Sequence, residues 1–186
     1  KEIKKNIFQI NISSKNFFDI YKDKFDESTI AILLENFKSL QTNLKLDPII
    51  FTQFPTWSSL AIALKKKYGW KIIFDCLDDF HGFSNIFNKQ KEENDLIANS
   101  NLVLASADIL FKKVSELSEN VLLLHNAGEF SHFNQPKTIQ VLSDLEKPIV
   151  GYFGAIAEWF DVELVEYLAK NRQNLDFVFI GNTYGS

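Results

Sequence analysis

The sequence is short of sulfur: it has one cysteine, Cys76, and no methionine among its 186 residues. A single cysteine excludes an internal disulfide, which is typical of a protein from a reducing compartment. Because Cys76 lies inside an apolar strand pattern, we interpret it as a buried structural thiol rather than a nucleophile. The chain does not begin with methionine either, and we interpret it as a piece of a longer protein.

Long apolar runs and basic stripes are also missing. No apolar run is long enough to span a bilayer and no signal peptide opens the chain, so we expect a cytoplasmic protein whose membrane contact, where it has one, is peripheral and at the inner face. The net charge is −4, with both signs spread along the sequence. That distribution excludes nucleic acid as a partner, because binding it needs a basic surface.

Apolar residues make up 46% of the chain, which is ample material for a core. Strand-like apolar runs alternate with segments of helical periodicity, and this alternation predicts right-handed βαβ crossovers and a Rossmann-like parallel sheet flanked by helices, an α/β fold. The predicted strands are 47–55, 70–76, 101–106, 120–126, 148–153 and 175–181, with a weaker one at 5–11. The predicted helices are 27–42, 56–69, 88–100, 107–118 and 160–171.

The polar loop 130–147 is the candidate domain boundary, because a nearly complete sheet precedes it and a fresh strand–helix–strand unit follows. We therefore predict one domain over 1–146 and the start of a second over 147–186.

Ligands of parallel sheets bind at the carboxyl ends of the strands, so the residues after each strand are the candidate site. Asp78, Asp79 and His81 follow strand 70–76 and are candidates for acid–base catalysis or metal binding. Helix capping and solvation explain these side chains equally well. Phe54 and Trp57 follow strand 47–55 and offer aromatic surface for a sugar ring, although packing of Trp57 under its own helix is the favoured explanation.

A small-residue turn follows strand 148–153. Gly154 and Ala155 allow a ligand to approach the backbone, and the next helix presents free N–H groups at its N-terminus. Asp161 is the expected N-cap of that helix, which weakens anion binding there. The dinucleotide and P-loop glycine patterns are absent.

Four sequence blocks, in this order, resemble the GT-B glycosyltransferases, specifically family-four-like enzymes. They are "FPTWSSLAIALKKKYGWKIIFDCLDDFHGFSN", "SNLVLASADIL", "NVLLLHNAGEFSHF" and "KPIVGYFGAIAEWFD". The third block resembles the end of the family's acceptor-side domain and the fourth the opening of its donor-binding domain. The resemblance covers roughly residues 47–181 and implies an inter-domain cleft in which a sugar passes from a nucleotide-sugar to a glycan or lipid-linked acceptor.

The resemblance also assigns roles to residues. It implies that Asp78, Asp79 and His81 contact the reacting sugar, and that Gly154, Ala155 and Glu158 face the donor. It implies neither a cofactor nor a metal, because this fold stabilises the leaving diphosphate with helix dipoles and basic side chains.

Two departures from the family pattern stand out. Many members carry Arg and Lys after the strand that here ends at Phe153, where this chain has the sequence Ala-Glu-Trp-Phe-Asp. Ala127 replaces a usual glycine. We expect the 186 residues alone to be inactive.

Two other functions remain open at this point. One is a non-catalytic α/β sugar-binding or scaffold module, which would also have an acceptor-side domain without a complete donor-binding domain. A response-regulator-like domain would also place acidic residues at a strand end, but the start of a second domain counts against it.

Overall fold

A computed structural model of the chain describes residues 2–5, 7–10, 23–79, 89–135, 142, 144–157 and 159–183. The chain divides after Ala127 into two compact units, 1–127 and 128–186, and each is described by itself. Over the described ranges, no helix combines the length and apolar character needed to cross a membrane.

The first unit confirms the predicted α/β fold. Its elements are β1 (Glu2–Lys4), β2 (Ile7–Phe8), α1 (Glu27–Leu44), β3 (Ile49–Thr52), a 3-10 turn (Pro55–Trp57), α2 (Ser58–Tyr68), β4 (Lys71–Cys76), α3 (Gln90–Asn99), β5 (Leu102–Ala105), α4 (Asp108–Ser115) and β6 (Val121–Leu123). Strands β3, β4, β5 and β6 form one parallel sheet in that order. The arrangement is consistent with a Rossmann-like fold.

The consecutive strand order explains where the core lies. When each strand is followed by its neighbour in the same direction, right-handed crossovers bring the connecting helices to one side of the sheet. Buried side chains of α2, α3 and α4 accordingly pack on Ile72, Phe74 and Cys76 of the central strand β4. A second cluster joins α1 to α2 around Trp70.

The other face of the sheet alternates with the buried one and is more open. Ile49, Phe51 and Leu122 point to that face and are each more than half exposed. The alternation follows from the two-residue period of a strand. The sheet therefore has one well-covered apolar face and one that is largely accessible.

The ends of the helices follow local signals. Asp26 caps α1 by accepting a hydrogen bond of 2.6 Å from the backbone N–H of Thr29. Gly69 ends α2 with a φ of 75°, a conformation that strains other residues. Aspartate before a helix and glycine after one are the residues that favour such caps.

The N-terminal segment differs from the prediction of one strand over 5–11. The structure has a small antiparallel hairpin instead, in which β1 pairs with β2 around a turn at Lys5. A hairpin pairs part of the backbone N–H and C=O groups that a lone strand would leave without partners.

The second unit contains a short helix and one parallel βαβ element. The elements are α5 (Phe130–Phe133), β7 (Ile149–Phe153), α6 (Val162–Asn171) and β8 (Asp176–Ile180). Strands β7 and β8 pair in parallel over their full length. This agrees with the strand–helix–strand unit that the sequence predicts after residue 147.

Candidate functional site

Asp78 and Asp79 lie in the segment that leaves β4 at the carboxyl edge of the sheet, and both are exposed. The Asp79 carboxylate forms an ion pair of 3.2 Å with the Lys113 ammonium of α4. Among the described residues, no hydrogen bond or ion pair engages the carboxylate of Asp78. Asp79 is thus bound to the helix layer, and Asp78 is available to a ligand.

The ion pair at Asp79 is part of a buried network. Lys113 also donates to both carboxylate oxygens of Glu93, at 3.0 and 3.2 Å, and Glu93 of α3 is only 1% exposed. Lys113 therefore bridges a buried and an exposed carboxylate. It ties the exit of β4 to α3 and α4.

Burial and hydrogen bonding shift the pKa of Lys113 in opposite directions. Desolvation favours its neutral amine, but the hydrogen bonds to Glu93 and Asp79 outweigh that penalty, so the pKa of Lys113 is raised. Its stabilising contribution is fully present below about pH 10.4, the ordinary lysine value, and is lost as the pH rises through the higher folded-state pKa. Lys113 is therefore a fixed positive charge at neutral pH.

Cys76 is the last residue of β4 and is fully buried. Burial, and after it the charge of Glu93, raises the pKa of its thiol to about 12. The backbone around it is held by Ser106, whose hydroxyl donates to the carbonyl of Leu77 at 2.7 Å. The geometry supports the structural interpretation of this cysteine.

We expect the thiol of the native chain to resist alkylation by iodoacetamide at pH 8, because the thiolate is the nucleophile and burial disfavours it. Labelling followed by mass spectrometry should give almost no adduct in buffer and one adduct per chain in denaturant. Rapid modification of the folded chain would contradict the burial of Cys76.

The residues that follow β3 have both aromatic and polar side chains. Phe54 and Trp57 are both half-buried, and Trp57 packs on Phe25 with ring centroids 5.1 Å apart. Behind them, the ammonium of Lys89 is buried and donates to the hydroxyl of Thr56 at 2.6 Å. Trp57 thus packs as a structural residue on one side, and its remaining exposed surface is open to a ligand.

One hydrogen bond links the ends of the two neighbouring strands. The side-chain amide of Gln53 donates to the carboxylate of Asp75 at 3.0 Å. Because β3 and β4 pair directly, the segments carrying Phe54 and Asp78 leave the sheet side by side. The structure thereby brings the predicted aromatic and acidic residues to one edge.

In the second unit, Gly154 and Ala155 take part in internal contacts. The N–H of Gly154 donates to the carbonyl of Ile180 at 3.0 Å, which continues the β7–β8 pairing past the strand end. The hydroxyl of Tyr152 donates to the carbonyl of Ala155 at 2.8 Å. A β-carbon on Gly154 would lie 2.9 Å from the hydroxyl oxygen of Tyr152, so packing within the unit accounts for this glycine.

The N-terminus of α6 is capped as the sequence predicts. The side chain of Asp161 accepts from the N–H of Leu164 at 2.8 Å, and Glu163 adds an acidic group in the first turn. Two carboxylates at this position oppose the binding of a diphosphate.

Two predicted site residues, His81 and Glu158, lie outside the described residues. Three charged residues near the site were not predicted from the sequence: Glu93 and Lys113, which pair behind Asp79, and Lys89, which is buried beside Thr56. The signal for Glu93 was its spacing from Leu96 and Ile97, which places it on the apolar stripe of its helix.

Within the part of the chain that the structure describes, no three histidine, cysteine, aspartate or glutamate side chains are grouped to hold a metal ion. No protein-family model matches the chain, and a search of curated proteins finds no match. The resemblance to glycosyltransferases therefore depends on the sequence blocks quoted above.

Proposed function

We propose that the chain is part of a GT-B, family-four-like glycosyltransferase that moves a sugar from a nucleotide-sugar to an acceptor hydroxyl in cell-surface polysaccharide or glycan synthesis. The observation that carries this proposal is the pairing of β3 with β4. It brings the aromatic residues that follow β3 beside the acidic residues that follow β4, at the carboxyl edge of the sheet. Phe54 and Trp57 then bind the acceptor sugar by stacking, and Asp78 is the acid–base residue.

In the proposed reaction, the acceptor oxygen attacks the anomeric carbon of the donor sugar. The bond from that carbon to the nucleoside diphosphate breaks, and the acceptor proton passes to a carboxylate. Asp78 suits this role because its carboxylate is exposed and unengaged among the described residues. Asp79 is occupied by Lys113 and holds the loop in place.

Sugar transfer by the complete product of the gene tests this proposal, with radiolabelled UDP-, GDP- and dTDP-sugars as donors. We expect Asp78→Asn to lower kcat by about 10²- to 10⁴-fold, the usual contribution of a general acid or base. Asp108→Asn, an exposed carboxylate in the first turn of α4, is the matched control and should retain activity. Equal activities of Asp78→Asn and the wild type would remove Asp78 from the mechanism.

The alternative is a non-catalytic sugar-binding or scaffold module. It is favoured by the acidic N-terminus of α6 and by the lack of a basic side chain among the described residues that link Gly154 to this helix. Calorimetry separates the two functions: an enzyme binds a nucleotide-sugar, whereas the module binds a glycan and none of the donors. Donor binding by the complete product would reject the module.

A further inference from the structure

The start of α3 carries two buried charged side chains, one helical turn apart. Lys89 immediately precedes the helix and is 4% exposed, and Glu93 is 1% exposed. The backbone N–H of Glu93 donates to the carbonyl of Lys89 at 2.9 Å, so the two residues are neighbours on one side of the helix. Burying charges is costly, and apolar side chains of similar size often stabilise a protein as well or better. Stability alone does not explain these two residues.

Lys89 holds the aromatic side of the proposed site. Its ammonium donates to the hydroxyl of Thr56 at 2.6 Å and to the carbonyl of Asp23 at 2.9 Å. Thr56 immediately precedes Trp57 in the 3-10 turn. Asp23 lies two residues before Phe25, whose ring packs on Trp57. Lys89 therefore fixes both the backbone that carries Trp57 and the segment that carries the ring packed on its indole.

Glu93 holds the acidic side of the same site through Lys113. The ammonium of Lys113 donates to both oxygens of the Glu93 carboxylate and also pairs with the carboxylate of Asp79. Asp79 is the residue next to Asp78, the acid–base residue of the proposed function. A chain of hydrogen bonds thus runs from α3 to the segment that carries Asp78.

We propose that the start of α3 is a positioning element, which holds the aromatic turn (Pro55–Trp57) and the acidic segment (77–79) in a fixed relation to each other. The roles of these residues in sugar transfer rest on the proposed function. Lys89 orients Trp57 against the acceptor sugar, while Glu93 and Lys113 keep Asp78 within reach of the acceptor hydroxyl. Because both tethers start within one helical turn, a shift between the two sides must break a tether or strain α3.

The two tethers predict different kinetic defects in the complete product of the gene, measured with octyl β-glucoside as the acceptor probe. Lys89→Met keeps an unbranched stem and removes the ammonium. Trp57 is then held less firmly, and we expect the KM for the acceptor to rise about tenfold with little change in kcat.

The double variant Lys113→Met/Glu93→Leu removes the other tether. It eliminates both buried partners at once, so it leaves no uncompensated buried charge and should stay folded. We expect kcat to fall about tenfold with an unchanged acceptor KM, because Asp78 is misplaced while the aromatic turn is not. A helix that only supports the fold would not separate KM from kcat in this way.

Nitrogen relaxation of the backbone amides tests the positioning without any activity. A rigid backbone has an order parameter of about 0.85, and a flexible one lies below about 0.6. In Lys89→Met the values in the aromatic turn should fall toward about 0.6 while those of the acidic segment stay high, and the double variant should show the converse. Lys91→Met is the matched control: it removes an exposed ammonium of the same helix, paired with Asp95, and should change neither segment.

A second variant tests the aromatic tether from its other end. Thr56→Val keeps the shape of the side chain and removes the hydroxyl that accepts from Lys89, so it should lower the same order parameters as Lys89→Met. Order parameters that stay unchanged in the tether variants would overturn the inference, and so would equal losses in both segments in every variant. If they fall as expected but the wild type transfers no sugar, α3 keeps its positioning role and the proposed function alone fails.

Discussion

Replacement of Gly181 by alanine is expected to disrupt the second unit. A β-carbon at this position would lie 1.7 Å from the carbonyl oxygen of Gly154 and 2.7 Å from its carbon. These are backbone atoms that cannot rotate away, so the β7–β8 pairing must open to admit the methyl group. We expect a loss of about 3 kcal/mol, the upper end of the usual cost of overpacking and a large share of the stability of a small unit.

Amide exchange followed by mass spectrometry measures this loss in the peptides that cover 149–153 and 176–180. Gly151→Ala is the matched control, because a β-carbon on this β7 glycine meets no atom within 4 Å. It should leave exchange unchanged or slow it slightly. Similar exchange in the two variants would mean that the chain does not approach itself closely at Gly181.

Replacement of Lys113 by methionine should strongly destabilise the first unit. It removes the ammonium that pairs with the carboxylate of Glu93, which is 1% exposed. Breaking a buried ion pair from one side costs about 3 to 5 kcal/mol, because the remaining charge stays buried without compensation. Loss of the exposed ion pair between Lys113 and Asp79 should add little to this destabilisation, since solvent screens the pair. Urea unfolding monitored by circular dichroism at pH 7 measures the change.

Two further variants identify the cause. Lys112→Met removes the neighbouring exposed ammonium in the same turn of α4 and should change stability by less than about 0.5 kcal/mol. Adding Glu93→Leu to Lys113→Met removes the uncompensated charge and should restore most of the loss. If the double variant is no more stable than Lys113→Met alone, the damage comes from packing rather than from the buried charge.

The fold could be predicted from the sequence because its signals are local. Apolar runs such as 70–76 predicted β4, and Asp161 marked a helix start that the structure confirms. The predicted strands were too long, most of all at β3, where 47–55 became Ile49–Thr52, and also at β6, where 120–126 became Val121–Leu123. Strand ends depend on where the neighbouring strand stops, and a single segment does not contain that information.

The environment of the candidate site could be predicted only in part. The acidic and aromatic residues that follow the strands could be identified from the sequence. The ion pair of Asp79 with Lys113 could not, because it joins residues 34 positions apart. The contact between Gly154 and Gly181 likewise depends on the register of β7 and β8. Such contacts arise from tertiary packing, which no local periodicity reports.

The consecutive order of β3 to β6 has a consequence for how the first unit folds. Each strand pairs with the one made just before it, as Ile50 does with Ile72, so no strand pairing in this sheet closes a loop longer than one helical crossover. This order keeps the contact order below that of a sheet whose neighbouring strands lie far apart in the chain, and a lower contact order favours faster folding. On the ribosome, each new strand and helix can dock on the preceding pair as it emerges, and the sheet can grow in the order of translation.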